Sequence, residues 1–160
     1  VPGREGVKVG VLNLIGLVHM APLGSSPFLA ANSALPEIAA QTPIIFVDFH
    51  AEATSEKISM GWHLDGRVSC VFGTHTHVAT ADNRVLPGGT AYQTDIGMTG
   101  GHNGVIGVKK DAVLRKFLVP LPVRHEVEDE DVRLNGALVT VDVVTGKALG
   151  IERVSEALGG

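Results

Sequence analysis

Three observations in the sequence predict an α/β fold. Two apolar runs of strand length, residues 44–49 (IIFVDF) and 68–72 (VSCVF), flank a stretch of helical composition at residues 53–61. Strand, helix and strand in that order, with connections of crossover length, make a parallel pair. Both runs lead directly into His-bearing segments, and ligands in open α/β sheets gather at the carboxyl ends of the strands. The last third of the chain carries strand-like runs separated by turn residues, which adds antiparallel strands to the parallel layer.

Residues 7–15 alternate loosely between apolar and polar side chains and make a first strand, punctuated by Gly10 and Gly16. Pro22, Gly24, Ser25, Ser26 and Pro27 leave residues 20–28 as loop, after which Ser33 caps a short helix ending near Gln41. Residues 44–49 form the second strand, residues 53–61 a helix with Thr54 or Ser55 as cap, and residues 68–72 the third strand. Turn chemistry at residues 80–83 and 87–89 encloses the apolar pair Val85-Leu86. Residues 90–94 are a short strand, and residues 95–107 a loop with five glycines. Residues 109–118 read as a helix with Ala112, Val113, Phe117 and Leu118 apolar. Residues 123–127, 132–143 and 148–154 read as a three-stranded meander, broken by an acidic turn at 128–131 and by Thr145-Gly146, without site residues of its own.

A length of 160 residues fits one ordinary domain, and 44% hydrophobic residues with 20 glycines suit a core with many tight turns. Only 4% are aromatic, so Val, Leu, Ile and Ala must fill that core. A formal charge of -4 offers no basic stripe, which argues against an extended nucleic-acid surface. The single Cys70 excludes an internal disulfide and, within an apolar strand, reads as a small buried hydrophobe. The apolar stretches fall short of the roughly 20 residues that span a bilayer, so no membrane segment is expected and the cytoplasm is the expected location.

The chemistry concentrates in Gly73-Thr74-His75-Thr76-His77, directly after the third strand. A strand that ends in Gly and delivers two imidazoles one residue apart onto a loop aims both at one polar point, as metal sites require. His50 ends the neighbouring strand in the same way. A lone His at a strand end is ordinarily a hydrogen-bonded structural residue; convergence of several is what marks a candidate site. Asp48 faces opposite to its neighbours and reads as a supporting or structural carboxylate. The loop from Gly97 to Gly104 has the amides to cradle a phosphate but lacks the Lys and the spacing of a P-loop, so a flexible turn is the simpler reading and His102 a lesser candidate. His19, His63 and His125 read as surface or hydrogen-bonded residues.

The Gly-Thr-His-Thr-His string resembles the terminal Gly-x-His-x-His motif of the calcineurin-like metallophosphoesterases, whose dinuclear metal centre cleaves phosphate esters. Residues 47–57 (VDFHAEATSEK), 73–83 (GTHTHVATADN) and 89–100 (GTAYQTDIGMTG) are similar to the bacterial YmdB-type branch, which acts on 2′,3′-cyclic nucleotides. The similarity runs from the first strand to about Arg153. It implies a metallophosphoesterase-type α/β sandwich, with His50 and His75 on one metal and His77 on the other. Two divalent ions are implied, Fe or Mn before Zn, because mixed imidazole and carboxylate ligands suit all three. Metals about 3.5–4 Å apart neutralise a diester and hold a hydroxide in line with the scissile bond. Thr74, Asp95 and Gly100 are implied as supports of the ligands or as part of the substrate loop, and the substrate as a small phosphodiester or cyclic nucleotide.

Members of that family also carry a metal-binding Asp on their first strand, a bridging acidic residue, and an Asn-His pair whose His protonates the leaving group. This chain has no Gly-Asp and no Asn-His dipeptide, and it opens at Val1 ahead of a turn-like Pro2-Gly3. The expectation is that residues 1–160 are the C-terminal portion of a single metallophosphoesterase domain, with the N-terminal strands missing. Half of the metal site is then present, and the general acid lies elsewhere. The exposed sheet edge that results favours a homo-oligomer or a partner chain. Two other readings stay open: a mononuclear zinc hydrolase built on the three His, and a degenerate or truncated module that binds metal or a partner without turnover.

Overall fold

The strands and helices of the first 95 residues fold into one mainly parallel layer in the computed structural model, which describes residues 6–21, 24–119 and 122–158. The Pro2-Gly3 turn and Pro22 lie outside the described residues. Strands β1 (Gly10–Ile15), β2 (Ile45–His50), β3 (Cys70–Thr74), β4 (Arg84–Val85) and β5 (Ala91–Gln93) form a sheet in the order β1-β2-β3-β5-β4. The first three and β5 run parallel, and β4 pairs antiparallel with β5. Helices α1 (Pro27–Ala39) and α2 (Thr54–Leu64) supply the crossovers. A second, antiparallel sheet consists of β6 (Gly100–Gly101), β7 (Val132–Val141) and β8 (Ala148–Ala157), with helix α3 (Lys110–Leu118) on the connection between β6 and β7.

Strand alternation divides the packing. Leu14, Ile45, Val47, Phe49, Val71 and Tyr92 project to one face and bury against Ala31 and Leu35 of α1 and Met60 and Leu64 of α2. The opposite face of β3 and β5, Cys70 and Ala91, packs on Ala148 and Ile151 of β8. Cys70 is wholly buried, and burial pushes its thiol up to about 12, so it behaves as the small hydrophobe its strand context suggests. The second sheet stops short of β1, where Val11 is 55% and Ile15 41% exposed on the face they share with Asp48 and His50.

Two expectations need correction. Helix α1 begins at Pro27 rather than Ser33, because a proline at the first helical position brings φ preset for the turn and needs no N–H partner. The C-terminal part contains two long strands instead of three. Residues 122–127 contribute only a bridge from Val127 to Val108, and the third strand of that sheet is the short Gly100–Gly101 segment. Helix α3 forms as expected but buries none of its residues; Phe117 and Leu118 are each 81% exposed.

Gly73 is the tightest point of the sheet. A Cβ placed there would collide with the Thr94 carbonyl oxygen and lie 2.9 Å from the Lys57 side chain. Gly73→Ala is therefore expected to lower unfolding free energy by about 1–3 kcal/mol, as overpacked cores do, in urea titrations followed by circular dichroism. An unchanged midpoint would show that β3 and β5 separate freely.

Candidate functional site

The site is built at the carboxyl edge of β2 and β3, on the sheet face that the helices leave open. His50 ends β2, and residues 75–77 leave β3 as a loop. His75 and His77 both hold positive backbone angles, φ 102° and 67°, a conformation that residues with a Cβ adopt only when their surroundings impose it. What imposes it is Asp95, fully buried, whose Oδ2 accepts the Thr76 amide at 3.1 Å and the Thr76 hydroxyl at 2.7 Å. The same oxygen takes the Lys57 ammonium at 2.7 Å, and Oδ1 accepts the Gly97 amide at 2.9 Å. Asp95, expected to orient an imidazole directly, instead grips the residue between two of them, because the buried Lys57 draws it under the loop.

The hydrogen bonds at His50 fix its tautomer. The Thr74 hydroxyl donates to Asp48 Oδ1 at 2.8 Å, so its oxygen accepts from His50 Nδ1 at 3.0 Å. Asn13 Nδ2 donates to the other Asp48 oxygen at 2.8 Å. His50 Nε2 is left with its lone pair facing His75 Nδ1 at 3.1 Å, and His75 Nε2 lies 2.9 Å from Glu52 Oε2. The network closes only if His75 carries a proton on both nitrogens, or if a cation replaces the proton between the rings. Two ligands bonded at about 2.1 Å to one metal stand about 3.0–3.4 Å apart, so the observed spacing suits a shared ion. Thr74, expected as a support, thus reaches His50, and Asp48 stands behind Thr74.

His77 is placed differently. Its Nδ1 donates to the Ile106 carbonyl at 3.0 Å, which leaves Nε2 as the lone-pair nitrogen. Two imidazoles are in contact and the third is held apart, and among the described residues no three His, Cys, Asp or Glu side chains are arranged to hold a metal ion. The structure thus brings His50 and His75 together as a pair and sets His77 on the Ile106 carbonyl beyond the turn at Thr76. Gly100, expected on the substrate loop, lies in β6, where its carbonyl accepts from His102 Nδ1 at 2.8 Å. His102 Nε2 accepts from Asn135 at 2.9 Å, so both of its ring nitrogens are satisfied. His63 bonds Asn32 at 3.0 Å.

Several residues of the site went unread in the sequence. Asn13 carries no motif, and Glu52 lies within the 47–57 string without a role read for it. Lys57 sits on α2 among polar neighbours, and only its fully buried side chain shows its function. The C-terminal strands, expected to be free of site residues, place Arg133, Asn135, Arg153 and Ser155 in the wall of a cavity of about 350 Å³ that also borders His77. Asp82, read as turn chemistry, ties the loop after His77 to β5. Burial alone would raise its carboxyl, but hydrogen bonds from the Thr80 and Thr94 hydroxyls and the Thr94 amide outweigh that and hold it below its ordinary value.

A parallel sheet with helices on one face, antiparallel strands on the other and a wired His pair at its carboxyl edge is a mixed α/β sandwich. The chain belongs to the YmdB-like protein family, which matches residues 1–154. It is 50% identical over 150 residues to the 2′,3′-cyclic-nucleotide 2′-phosphodiesterase of Bacillus subtilis strain 168, covering 94% of this chain and 56% of that protein. A crystal structure of a hypothetical protein from Thermus thermophilus superposes with a TM-score of 0.89 at 35% identity, over 98% of this chain and 60% of the other. The crystal structure of a novel phosphatase from Mycoplasma pneumoniae gives 0.84 at 36% identity, over 92% and 52%. This chain therefore spans a little over half the length of these relatives.

Two outcomes are expected. Lys57→Met leaves the Asp95 carboxylate buried without a counter-charge and should cost about 3–5 kcal/mol of folding stability in denaturant titrations; a loss under 1 kcal/mol would show that the pair does not hold the loop. The Asp82 carboxyl is lowered in the folded state, so its contribution is present above the unfolded value near 3.8 and is lost as pH falls through the lower folded value. Asp82→Asn should accordingly flatten the acid limb of a stability-pH profile.

Proposed function

We propose that this chain carries half of the metal site of a phosphodiesterase acting on small phosphate diesters, 2′,3′-cyclic nucleotides in particular. The observation that supports it most is the His50–His75 contact, an imidazole pair whose proton a cation can replace, on a chain of this family. In this reading His50 Nε2 and His75 Nδ1 hold one ion and His77 Nε2 a second. Bound ions of the Fe, Mn or Zn type would neutralise the diester and lower the pKa of a coordinated water.

The protein's own groups set the stage for that chemistry. Asp48 and Thr74 fix the His50 tautomer, Glu52 orients His75, the Ile106 carbonyl orients His77, and Asp95 holds the loop on which two of the three stand. The reading assigns the acid for the departing alkoxide and the remaining ligands to another part of a longer domain. The exposed Val11, Ile15, Phe117 and Leu118 support the accompanying proposal that this chain works against further polypeptide, its own or a second copy. No helix among the described residues is long and apolar enough to cross a membrane, and the site is proposed to work in the cytoplasm.

The test is metal content and hydrolysis together. With Mn or Fe supplied to the longer domain that completes the site, His75→Ala should lose bound metal and bis-p-nitrophenyl phosphate hydrolysis in step. Thr74→Val, which only releases the His50 tautomer, should lower metal affinity or activity by about 10–100-fold. Full metal occupancy and turnover in both variants, with wild-type circular dichroism, would overturn the assignment.

A further inference from the structure

The inner face of the β7–β8 hairpin changes character along its length. Where it covers the parallel sheet it is apolar, with Ala137, Val139 and Ile151 in the second core cluster. Beyond that contact the same face continues as Arg133, Asn135, Arg153 and Ser155, because the register pairs Asn135 with Ser155 and Ala137 with Arg153. These side chains form one wall of the cavity beside His77, and Val78, Ala79, Met98 and Ile106 line it as well. Its volume of about 350 Å³ falls within the roughly 300–1,000 Å³ of small-molecule sites and is far more than a lone phosphate needs.

The polar groups of this wall do not all have protein partners. Arg133 is engaged by Asp131 at 2.9 Å. Asn135 is spent on fastening the glycine-rich loop, donating to the Met98 carbonyl at 2.9 Å and to His102. The side chains of Arg153 and Ser155, by contrast, make no hydrogen bond or ion pair with any described residue, and both are exposed into the cavity. A planar guanidinium with nothing bound to it serves two purposes, stacking on a flat ring and donating to acceptors on its edge. Beside an apolar patch that includes a polarisable Met, it suits a heterocycle carried on a sugar.

Resting on the proposed function above, we propose that this cavity receives the nucleoside portion of the substrate, with Arg153 and Ser155 as specificity-determining residues and the diester directed to His50, His75 and His77. Nothing in the chemistry of the His residues requires a nucleoside. The overhanging strands are what distinguish a nucleotide from any other small diester.

Binding and turnover test this separately. In amide NMR titrations of the protein, adenosine and adenosine 3′-monophosphate should shift the resonances of Ala79, Met98 and Ser155, while inorganic phosphate should leave them in place. Arg153→Ala should weaken adenosine 3′-monophosphate about tenfold or more, and Ser155→Phe, which fills the cavity, should abolish the shifts. In catalysis, Arg153→Ala should lower kcat/KM for 2′,3′-cyclic AMP about tenfold more than for bis-p-nitrophenyl phosphate, which has no nucleoside. Equal losses on the two substrates, or nucleoside shifts that ignore both substitutions, would overturn the inference and leave the phosphodiesterase reading intact. A longer domain completing the site that, with metal supplied, hydrolyses neither diester would overturn that reading instead, and the adenosine titration would still decide whether the cavity is a nucleoside site.

Discussion

The buried ion pair between Lys57 and Asp95 is the interaction on which the site depends. Neither residue is accessible to water, and a carboxylate in such a place is tolerable only when its counter-charge and hydrogen bonds are complete. Asp95 meets that condition with Lys57, the Thr76 amide and hydroxyl, and the Gly97 amide. Because two of those donors belong to the residue between His75 and His77, satisfying the charge also forces both His backbones into the left-handed region. Desolvation, a stability problem, is thereby converted into the positioning of two imidazoles. The same turn of α2 serves the other flank, where Glu56 accepts the Leu17 and Val18 amides just beyond β1. One helix end thus fixes the loops that follow both β1 and β3.

A second chain of constraint runs through hydrogens rather than charges. Asn13, Asp48, Thr74, His50, His75 and Glu52 are linked in sequence, and each link decides which partner donates in the next. It draws on β1, β2, β3 and the loops beyond them, so it forms only when the parallel register pairs Asn13 with Asp48 and His50 with Thr74. Register is set in turn by the helix-facing residues, since a slip of one would turn Leu14 and Phe49 out of the core. Hydrophobic packing on one face of the sheet therefore selects the proton arrangement on the other.

Much of this was legible in the sequence, for identifiable reasons. The parallel layer follows from apolar runs of strand length with helical segments between them, and the imidazoles stand where their strands end. Alternation in β2 also places Asp48 and His50 on one face once the strand is seen to extend through His50. The missed features depend on tertiary context. Pro27 marks a loop or a helix start equally well until α1 has a sheet to pack on. Residues 123–127 have a strand's composition but find almost no partner, whereas Gly100 and Gly101, with no strand propensity, pair because β7 lies alongside. Lys57 among the polar residues of α2 looks like a solvated side chain, and only the carboxylate that arrives from residue 95 makes its burial tolerable. What holds His77 is the Thr76 turn and a carbonyl 29 residues away, and neither has a sequence signature.

The antiparallel strands show why the second sheet is more than a cover. A hairpin needed only to shield Cys70 and Ala91 could end where that contact ends. Its inner face instead continues past the sheet and becomes polar at the point where His77 and the glycine-rich loop come beneath it. Asn135 fastens that loop to β7, so hydrogen bonds tie the cavity floor to the wall above it. Space that packing would otherwise have closed is kept open by a side-chain amide. The cost is an unfilled polar surface around Arg153, which water covers when the cavity is free and a ligand with matching acceptors can exploit. The His pair and His77 stand at the ends of the parallel strands and the polar wall of Arg153 and Ser155 on the antiparallel ones, so that either can vary without disturbing the register that supports the other.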